Sequence, residues 1–247
     1  MTPGTWLTCG LLIARKETGG AMRVRLLLFP AILIALAVVA VACLALGCGG
    51  GKGGAGYGEG EATEFEGVKL TPMREQGNNA LKGTQVIDRQ AYRLMVDGLV
   101  ETPLSLSYTD LEAYNQVSWL MDLNCVEGWS FTAKWTGPEL DAILADAGVK
   151  PEAVAVIFHT ADVPTGYTSL PLDYIRDNHI ILALKLNDLT LPEDRGFPLQ
   201  LVAKSKYGYK WAKWVTRIEL SSDVDFRGYW ERGGYSNDAE VGGPAFE

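Results

Sequence analysis

The chain has 247 residues, a formal net charge of −8, and 47% apolar against 21% charged residues. This composition excludes a disordered, coiled-coil or collagen-like protein. The acidic balance argues against nucleic acid or an anionic membrane surface as a partner, because those partners require basic protein surface. No charged residue occurs from Leu26 to Gly50, so the averages combine two unlike parts.

The N-terminal segment has the pattern of a targeting sequence. Arg23 and Arg25 precede an apolar run from Leu26 to Leu46, and small residues around Cys48 follow it. This order of basic, apolar and small residues is typical of a signal peptide. Met22, directly before the basic pair, is the expected true start of the protein.

Two anchors are compatible with this segment. Residues 1–47 are a signal peptide cleaved before a lipidated Cys48, or they are an uncleaved membrane anchor, because the apolar run is long enough to span a bilayer. The lipidated form is the favoured one. Either anchor places the protein at the extracytoplasmic face of the cell membrane, held there by a lipid or by an N-terminal helix.

A glycine-rich segment separates the anchor from the rest of the chain. Nine of the 14 residues from Gly47 to Gly60 are glycine, which is typical of a flexible tether. We assign residues 48–66 to this tether and residues 67–247 to one folded domain, which is long enough to bury a core. Counted from Cys48, 18 basic and 29 acidic residues give a net charge of −11.

The domain is predicted to combine short strands with a few short helices. Helices are expected from a capping box at Ser107 to Tyr114, from a second capping box at Thr136 to Gly148, and over residues 172–177. The strands are predicted over residues 92–96, 117–123, 153–158, 180–186, 199–203 and 214–220. Because strands outnumber helices without regular alternation, the fold class is α+β with a mixed sheet.

Cys125 is the one cysteine in the predicted domain, since Cys9 and Cys43 precede the cleavage site and Cys48 is assigned to lipidation. A lone thiolate is a good ligand for a soft or high-valent metal. The alternative is a buried free cysteine that behaves as a small hydrophobe. An oxidising compartment disfavours that alternative, because idle thiols are readily oxidised there.

Basic residues are concentrated between Arg195 and Ile218, a stretch without any acidic residue. Such a positive patch on an acidic body suits a small, highly charged anion, although solvated basic faces are also common. Interleaved aromatic residues and Gly208 favour a ligand with a flat ring system. The basic residues are Arg195, Lys204, Lys206, Lys210, Lys213 and Arg217.

Several segments together resemble one known family. The cysteine segment is Asn124–Ser130, followed by Trp135-Thr136-Gly137. The basic stretch contributes residues 195–202 and 206–214. Residues 92–106 and 166–172 supply the remaining matches. In this order they resemble the cysteine segment, the pterin-binding stretch, the first strands and the substrate-side loop of the sulfite-oxidase-like molybdopterin-binding domain, over Ile87 to Leu220.

The resemblance implies a single-domain, mixed-sheet sulfite-oxidase-like molybdopterin-binding fold and an Mo-molybdopterin cofactor. Cys125 would bind molybdenum through its thiolate and be the catalytic residue. The implied cofactor-binding residues are Arg74, Asn78, Thr160, Arg195, Lys210, Trp211, Ala212 and Lys213.

The resemblance also implies two-electron, oxygen-atom-transfer chemistry on a small oxyanion or sulfoxide-type substrate, such as sulfite or a sulfoxide. The sequence has no haem or iron–sulfur cysteine motif, so a separate electron-transfer partner is expected. Three departures motivate an alternative, a non-catalytic extracellular binding module without metal. They are Gln200 in place of arginine, an insertion within residues 162–167, and Arg23 and Arg25 without the twin-arginine pattern.

Overall fold

The computed structural model describes residues 58–247. The predicted signal peptide or anchor, the predicted lipidation site at Cys48 and the first part of the tether lie outside these residues. Within residues 58–247, no helix is long and apolar enough to cross a membrane.

Short strands dominate the described chain. The α-helices are α1 (Tyr108–Ala113), α2 (Leu140–Ala147) and α3 (Leu172–Asp177). The strands are β1 (Glu64–Phe65), β2 (Val68–Lys69), β3 (Arg93–Gly98), β4 (Leu104–Ser107), β5 (Gln116–Asn124), β6 (Ser130–Pro138), β7 (Ala155–Thr160), β8 (Thr168–Pro171), β9 (Ile181–Ala183), β10 (Lys185–Leu186), β11 (Leu189–Thr190), β12 (Gln200–Val202) and β13 (Val215–Ser221).

The largest sheet is mixed and has the strand order β4-β3-β13-β7-β8. Within it, β13 runs parallel to β3 and antiparallel to β7. A four-stranded antiparallel sheet has the order β11-β10-β6-β5, and β12 pairs with β9. This architecture confirms the predicted α+β class with a mixed sheet.

The hairpin of β5 and β6 positions the cysteine. Its register runs from Gln116 opposite Pro138 to Asn124 opposite Ser130, so Cys125 begins the turn at the hairpin's end. Alternate side chains on the two strands, among them Leu123 and Trp135, are buried in the core. This inward alternation fixes which face of the hairpin meets the rest of the domain.

The two predicted capping boxes had different outcomes. Ser107 caps α1 in a reciprocal capping box with Asp110, as predicted. The box at Thr136 is wrong, because β6 continues to Pro138 and the Thr136 hydroxyl lies 2.8 Å from that of Ser118 on β5. Helix α2 therefore begins at Leu140 without a side-chain cap, and Gly148 closes it in the left-handed conformation, at φ 69°.

Residues just before the predicted domain start are packed against the domain. The Glu61 carboxylate accepts hydrogen bonds from the Met73 amide at 2.7 Å and from Asn187 Nδ2 at 2.9 Å. Strand β1 pairs with β2 directly afterwards. The composition assigns these residues to the tether. Their hydrogen bonds instead attach them to Met73 and Asn187 of the folded domain.

Candidate active site

A cavity of about 350 Å³ opens beside the Cys125 turn. Loop residues 77–81, Cys125, Glu127 and the cations Arg195 and Lys213 line it. Its remaining walls are largely aromatic. The aromatic lining residues are Trp129, Phe131, Trp135, Tyr167, Tyr209, Trp211, Trp214, Trp230 and Tyr235.

A tight turn presents Cys125 to the cavity. The Cys125 amide donates to the Trp129 carbonyl at 2.9 Å, and the Gly128 amide donates to the Cys125 carbonyl at 3.0 Å. Gly128 has φ 91°, which favours glycine at this position. The thiol is half-buried and forms no disulfide. Burial raises its pKa, an effect that amide hydrogen bonds from Glu127 and Val126 partly offset.

Glu127 is held next to the thiol. Its Oε2 accepts hydrogen bonds from Trp129 Nε1 at 3.0 Å and from Asn79 Nδ2 at 3.1 Å. These two bonds hold the pKa of the Glu127 carboxyl below its usual value. The same Asn79 nitrogen lies 4.0 Å from Cys125 Sγ, so one amide contacts both groups.

Arg195 is buried, and its guanidinium holds the preceding loop. It donates to the carbonyls of Met73 at 2.7 Å, Gly77 at 2.8 Å and Gln76 at 3.0 Å. Its Nε has no hydrogen-bond partner within the described residues. The Asp194 carboxylate lies 3.8 Å from Nε, beyond hydrogen-bond distance.

Lys213 reaches the same loop from the opposite side. Its ammonium donates to Asn78 Oδ1 at 2.8 Å, to the Asn79 carbonyl, and to the Asp194 carbonyl at 3.3 Å. Burial and the nearby Arg195 charge lower the pKa of Lys213 to about 8. Neutral oxygens accept all three of these hydrogen bonds.

The predicted site residues divide into two groups. Cys125, Asn78, Arg195, Trp211 and Lys213 all line the cavity. The others lie elsewhere.

Each residue outside the lining has its own contacts. Lys210 is fully buried, 2.6 Å from Glu231. Thr160 is buried and donates to Asp162 at 2.7 Å, and Ala212 is buried. Arg74 is exposed and pairs with Glu75 at 3.3 Å.

The expectation of one continuous basic patch is wrong. Acidic residues from other segments pair with three of the six basic residues, namely Lys206, Lys210 and Arg217. Lys206 lies 2.7 Å from Glu240, and Arg217 lies 2.7 Å from Asp97 and 2.8 Å from Glu219. Lys204 is exposed. The sequence shows the cluster but not its pairing with Asp97 and Glu240, which are distant in the chain, whereas Glu219 lies only two residues from Arg217.

The sequence reasoning missed part of the cavity wall. Trp230 and Tyr235 line the cavity with ring centroids 5.1 Å apart, and Trp230 Nε1 donates to the Tyr167 hydroxyl at 3.3 Å. The signal that could have identified them is the density of aromatic residues from Phe226 to Tyr235. Asn79 and Glu127 were not among the predicted site residues, although Glu127 lies within the cysteine segment Asn124–Ser130.

The cavity residues fit a phosphate-bearing ring cofactor with a soft metal. Cys125 offers a thiolate, Arg195 has an unpartnered Nε, and the lining residue Trp135 has an unpartnered Nε1. Gly208 also lines the cavity, and it packs so closely that a Cβ at this position would lie 3.1 Å from the Leu123 side chain. The aromatic walls suit a flat ring.

Comparison with known proteins identifies the family. The oxidoreductase molybdopterin binding domain family matches residues 81–230. The chain belongs to this family. Mo-molybdopterin is therefore its cofactor, and the protein is a molybdenum-cofactor-dependent oxidoreductase. Family membership thus confirms the predicted enzyme over the non-catalytic binding module.

Individual relatives agree with this assignment. The chain is 38% identical over 149 residues to the oxidoreductase YuiH of Bacillus subtilis, covering 60% of this chain and 74% of the relative. It is 33% identical over 150 residues to a putative protein-methionine-sulfoxide reductase subunit, YedZ1, of Azospira oryzae, covering 61% and 56%.

A solved structure supports the fold. The sulfane dehydrogenase SoxCD of Paracoccus pantotrophus matches with a TM-score of 0.62 and 26% identity, covering 69% of this chain and 49% of that chain. The chain thus spans only about half the length of the last two proteins, at 56% and 49%.

Proposed function

We propose that this protein is an extracytoplasmic oxidoreductase whose molybdenum is bound by the Cys125 thiolate. The observation that carries the proposal is that the Cys125 thiol, Arg195 and Lys213 all line one cavity. A thiolate suits the metal, and the two cations suit the phosphate-bearing part of the cofactor. When bound, the cofactor supplies two-electron, oxygen-atom-transfer chemistry.

The chain's own residues hold the cofactor in this account. When the cofactor binds, Arg195 and Lys213 would give up hydrogen bonds to carbonyl oxygens. They would bond instead to anionic oxygens of the cofactor, which form stronger hydrogen bonds with cations. Asn78 and Trp211 complete that end of the cavity. Arg74, Thr160 and the Ala212 backbone remain predicted cofactor contacts.

Lys210 is also a predicted cofactor contact, and its position supports an indirect role. It lies between the lining residues Tyr209 and Trp211, and its ammonium is buried against Glu231. Glu231 in turn follows the lining residue Trp230 in the chain. We therefore expect the Lys210–Glu231 pair to position these rings from behind the wall.

Tyr167 supplies a proton donor at the cavity wall. Burial raises its pKa, so the phenol keeps its proton at neutral pH. Because Trp230 Nε1 donates to its oxygen, the Tyr167 hydroxyl proton is free to point at a substrate oxygen. The aromatic walls exclude bulk water, which strengthens such a bond.

The location and the partners belong to the same proposal. Residues 1–47 direct export or anchor the chain, Cys48 carries the lipid, and residues from 48 onward tether the folded domain. The substrate is sulfite or a sulfoxide, and a separate carrier exchanges electrons with the cofactor. Support comes from the N-terminal pattern and, for the sulfoxide, from the Azospira oryzae relative named as a sulfoxide reductase subunit.

Analysis of the protein purified from its own membrane fraction tests the proposal. We expect molybdenum and pterin in about equal amounts, a molybdenum EPR signal that appears and disappears with redox poise, and acylation at Cys48. A Cys48→Ser variant should lack the lipid while keeping the metal. Molybdenum far below one atom per pterin, or protein found only in the cytoplasm, would contradict the proposal.

A further inference from the structure

The charged groups around the cavity have different hydrogen-bond partners, although Lys213 and Glu127 both bond to Asn79. Among the described residues that line it, the cations are Arg195 and Lys213, and their hydrogen bonds go to residues 73–79 and to Asp194. The lining carboxylates are Glu127 and Asp162. Because the proposed function assigns both cations to the cofactor, the two carboxylates are the charged lining groups that remain to contact a substrate.

Glu127 is the carboxylate close to the reacting position. Its Oε2 lies 3.1 Å from Asn79 Nδ2, which lies 4.0 Å from Cys125 Sγ. The carboxylate oxygen and the sulfur are therefore separated by no more than the sum of these two distances. The hydrogen bonds from Asn79 and Trp129 keep the carboxylate from rotating away.

Several other groups of the lining are uncharged. Tyr167 and Trp230 are linked by a hydrogen bond of 3.3 Å, and Tyr235 contacts Trp230 edge-on. Gln200, buried in the lining, supplies an amide and no charge. A substrate beside Cys125 meets rings, neutral hydrogen-bonding groups and the negative charge of Glu127, while the Lys213 ammonium is bonded to the Asn79 carbonyl.

We propose that Glu127 is a specificity-determining residue that excludes oxyanions and thereby selects an uncharged sulfoxide as substrate. This inference rests on the proposed function and deepens it. Glu127 is exposed, and its charge still repels an oxyanion that lies within a few ångströms, because Coulomb repulsion at this distance is significant even in water. A sulfoxide carries no net charge, and its oxygen accepts a hydrogen bond from the Tyr167 hydroxyl.

The selected reaction is a reduction. The sulfur–oxygen bond of the sulfoxide breaks, the sulfur is reduced by two electrons, and the oxygen takes up two protons and leaves as water. The separate electron carrier of the proposed function supplies both electrons, one at a time or together. The product is the corresponding thioether.

Sulfate is the probe for oxyanion exclusion, because it is charged and redox-inert. Cofactor-loaded protein is titrated with sulfate while the fluorescence of the lining tryptophans is followed. In Glu127→Gln, an amide of the same shape keeps a hydrogen-bond acceptor for Asn79 and Trp129 but loses the charge. We expect this variant to bind sulfate about tenfold more tightly than wild type, because one like charge is removed.

Two further variants separate charge from structure. Glu127→Asp keeps the charge and should bind sulfate as weakly as wild type. Asp122→Asn removes an exposed carboxylate of β5 that accepts a hydrogen bond from Thr132 and does not line the cavity. It should leave sulfate binding unchanged. Reduction of dimethyl sulfoxide with reduced viologen should keep its kcat/KM within about twofold in Asp122→Asn, since this carboxylate lies outside the cavity lining.

Equal sulfate affinity in wild type and Glu127→Gln would overturn the inference. So would an equal gain in Glu127→Gln and Glu127→Asp, because that result assigns Glu127 a structural role. Failure of the proposed function would be distinguishable from failure of this inference. The proposed function is tested by the molybdenum content and by the number of sulfur ligands on the metal, whereas this inference is tested by sulfate affinity.

Discussion

The cations of residues 195–217 form two groups with different partners. Arg195 and Lys213, the cavity cations, donate their hydrogen bonds to carbonyl and amide oxygens. Lys206, Lys210 and Arg217, the paired cations, each lie within 3 Å of a carboxylate oxygen. Both groups come from one stretch of sequence, yet the paired cations lie within 3 Å of a carboxylate, whereas the Asp194 carboxylate lies 3.8 Å from Arg195 Nε.

The difference shows how a protein keeps positive charge for a ligand. A cation paired with a carboxylate must break a charged contact before it binds an anion, whereas a cation on carbonyls gains a stronger contact by the exchange. The neutral partners also hold the loop of residues 76–79 in place. We therefore expect the paired cations to stabilise the fold, and we propose that the cavity cations bind the cofactor.

The largest effect should come from breaking the buried pair. Lys210→Met leaves the Glu231 carboxylate, which is 0% exposed, without its countercharge. Unfolding free energy should fall by about 3–5 kcal/mol, because an unpaired buried charge is costly. Urea unfolding measures this, and the double variant Lys210→Met/Glu231→Leu should recover most of the loss. A loss below about 1 kcal/mol in the single variant would contradict this account.

Removing a cavity cation should affect cofactor binding more than stability. Lys213→Met loses one charged contact to the cofactor, a change of about 1.5–3 kcal/mol, or roughly tenfold or more in retention. Pterin retained after dialysis is the measurement. Lys204→Met, at an exposed position of the same stretch, is the matched control and should retain the cofactor. Equal losses in both variants would refute the division into two groups.

The pH dependence of the cofactor-free domain gives a smaller effect. The pKa of Lys213 is lowered from 10.5 to about 8, so the unfolded chain binds more protons than the folded one between these values. Lys213 therefore makes the free energy of unfolding rise with pH across this window. Comparing wild type with Lys213→Met by urea unfolding at several pH values isolates this rise. An identical pH slope in the two proteins would contradict the prediction.

The smallest effect is expected at a partly exposed paired cation. Arg217 donates to both oxygens of Asp97 at 2.9 Å, and its side chain is 35% exposed. Arg217→Met should lower the free energy of unfolding by about 1 kcal/mol or less, because solvent screens such pairs. Cofactor retention should not change. A loss of cofactor in this variant would place Arg217 with the cavity cations.

Local signals in the sequence predicted much of the fold. Helix α3 matches the predicted residues 172–177, and Ser107 caps α1 as its sequence indicates. These features depend on neighbouring residues only. The capping box at Thr136 failed because pairing with β5 and β10 extends β6 through that residue, and no local pattern reveals that pairing.

The site was predicted less completely for a similar reason. Cys125 was identifiable because it is the single cysteine of the domain and lies in a family motif. The division of the cations was not, because Glu231 and Glu240 approach the basic stretch only in the folded chain. Glu127 lies in the same motif, but its role was not predicted, because its position beside Cys125 depends on Asn79, 48 residues away.

Molybdenum X-ray absorption of wild type and Cys125→Ser tests the central claim most directly. The account predicts one sulfur ligand fewer in Cys125→Ser, or loss of the metal, while Arg195 and Lys213 still retain the pterin. An unchanged sulfur shell and unchanged molybdenum content in Cys125→Ser would contradict the assignment of Cys125 as the metal ligand.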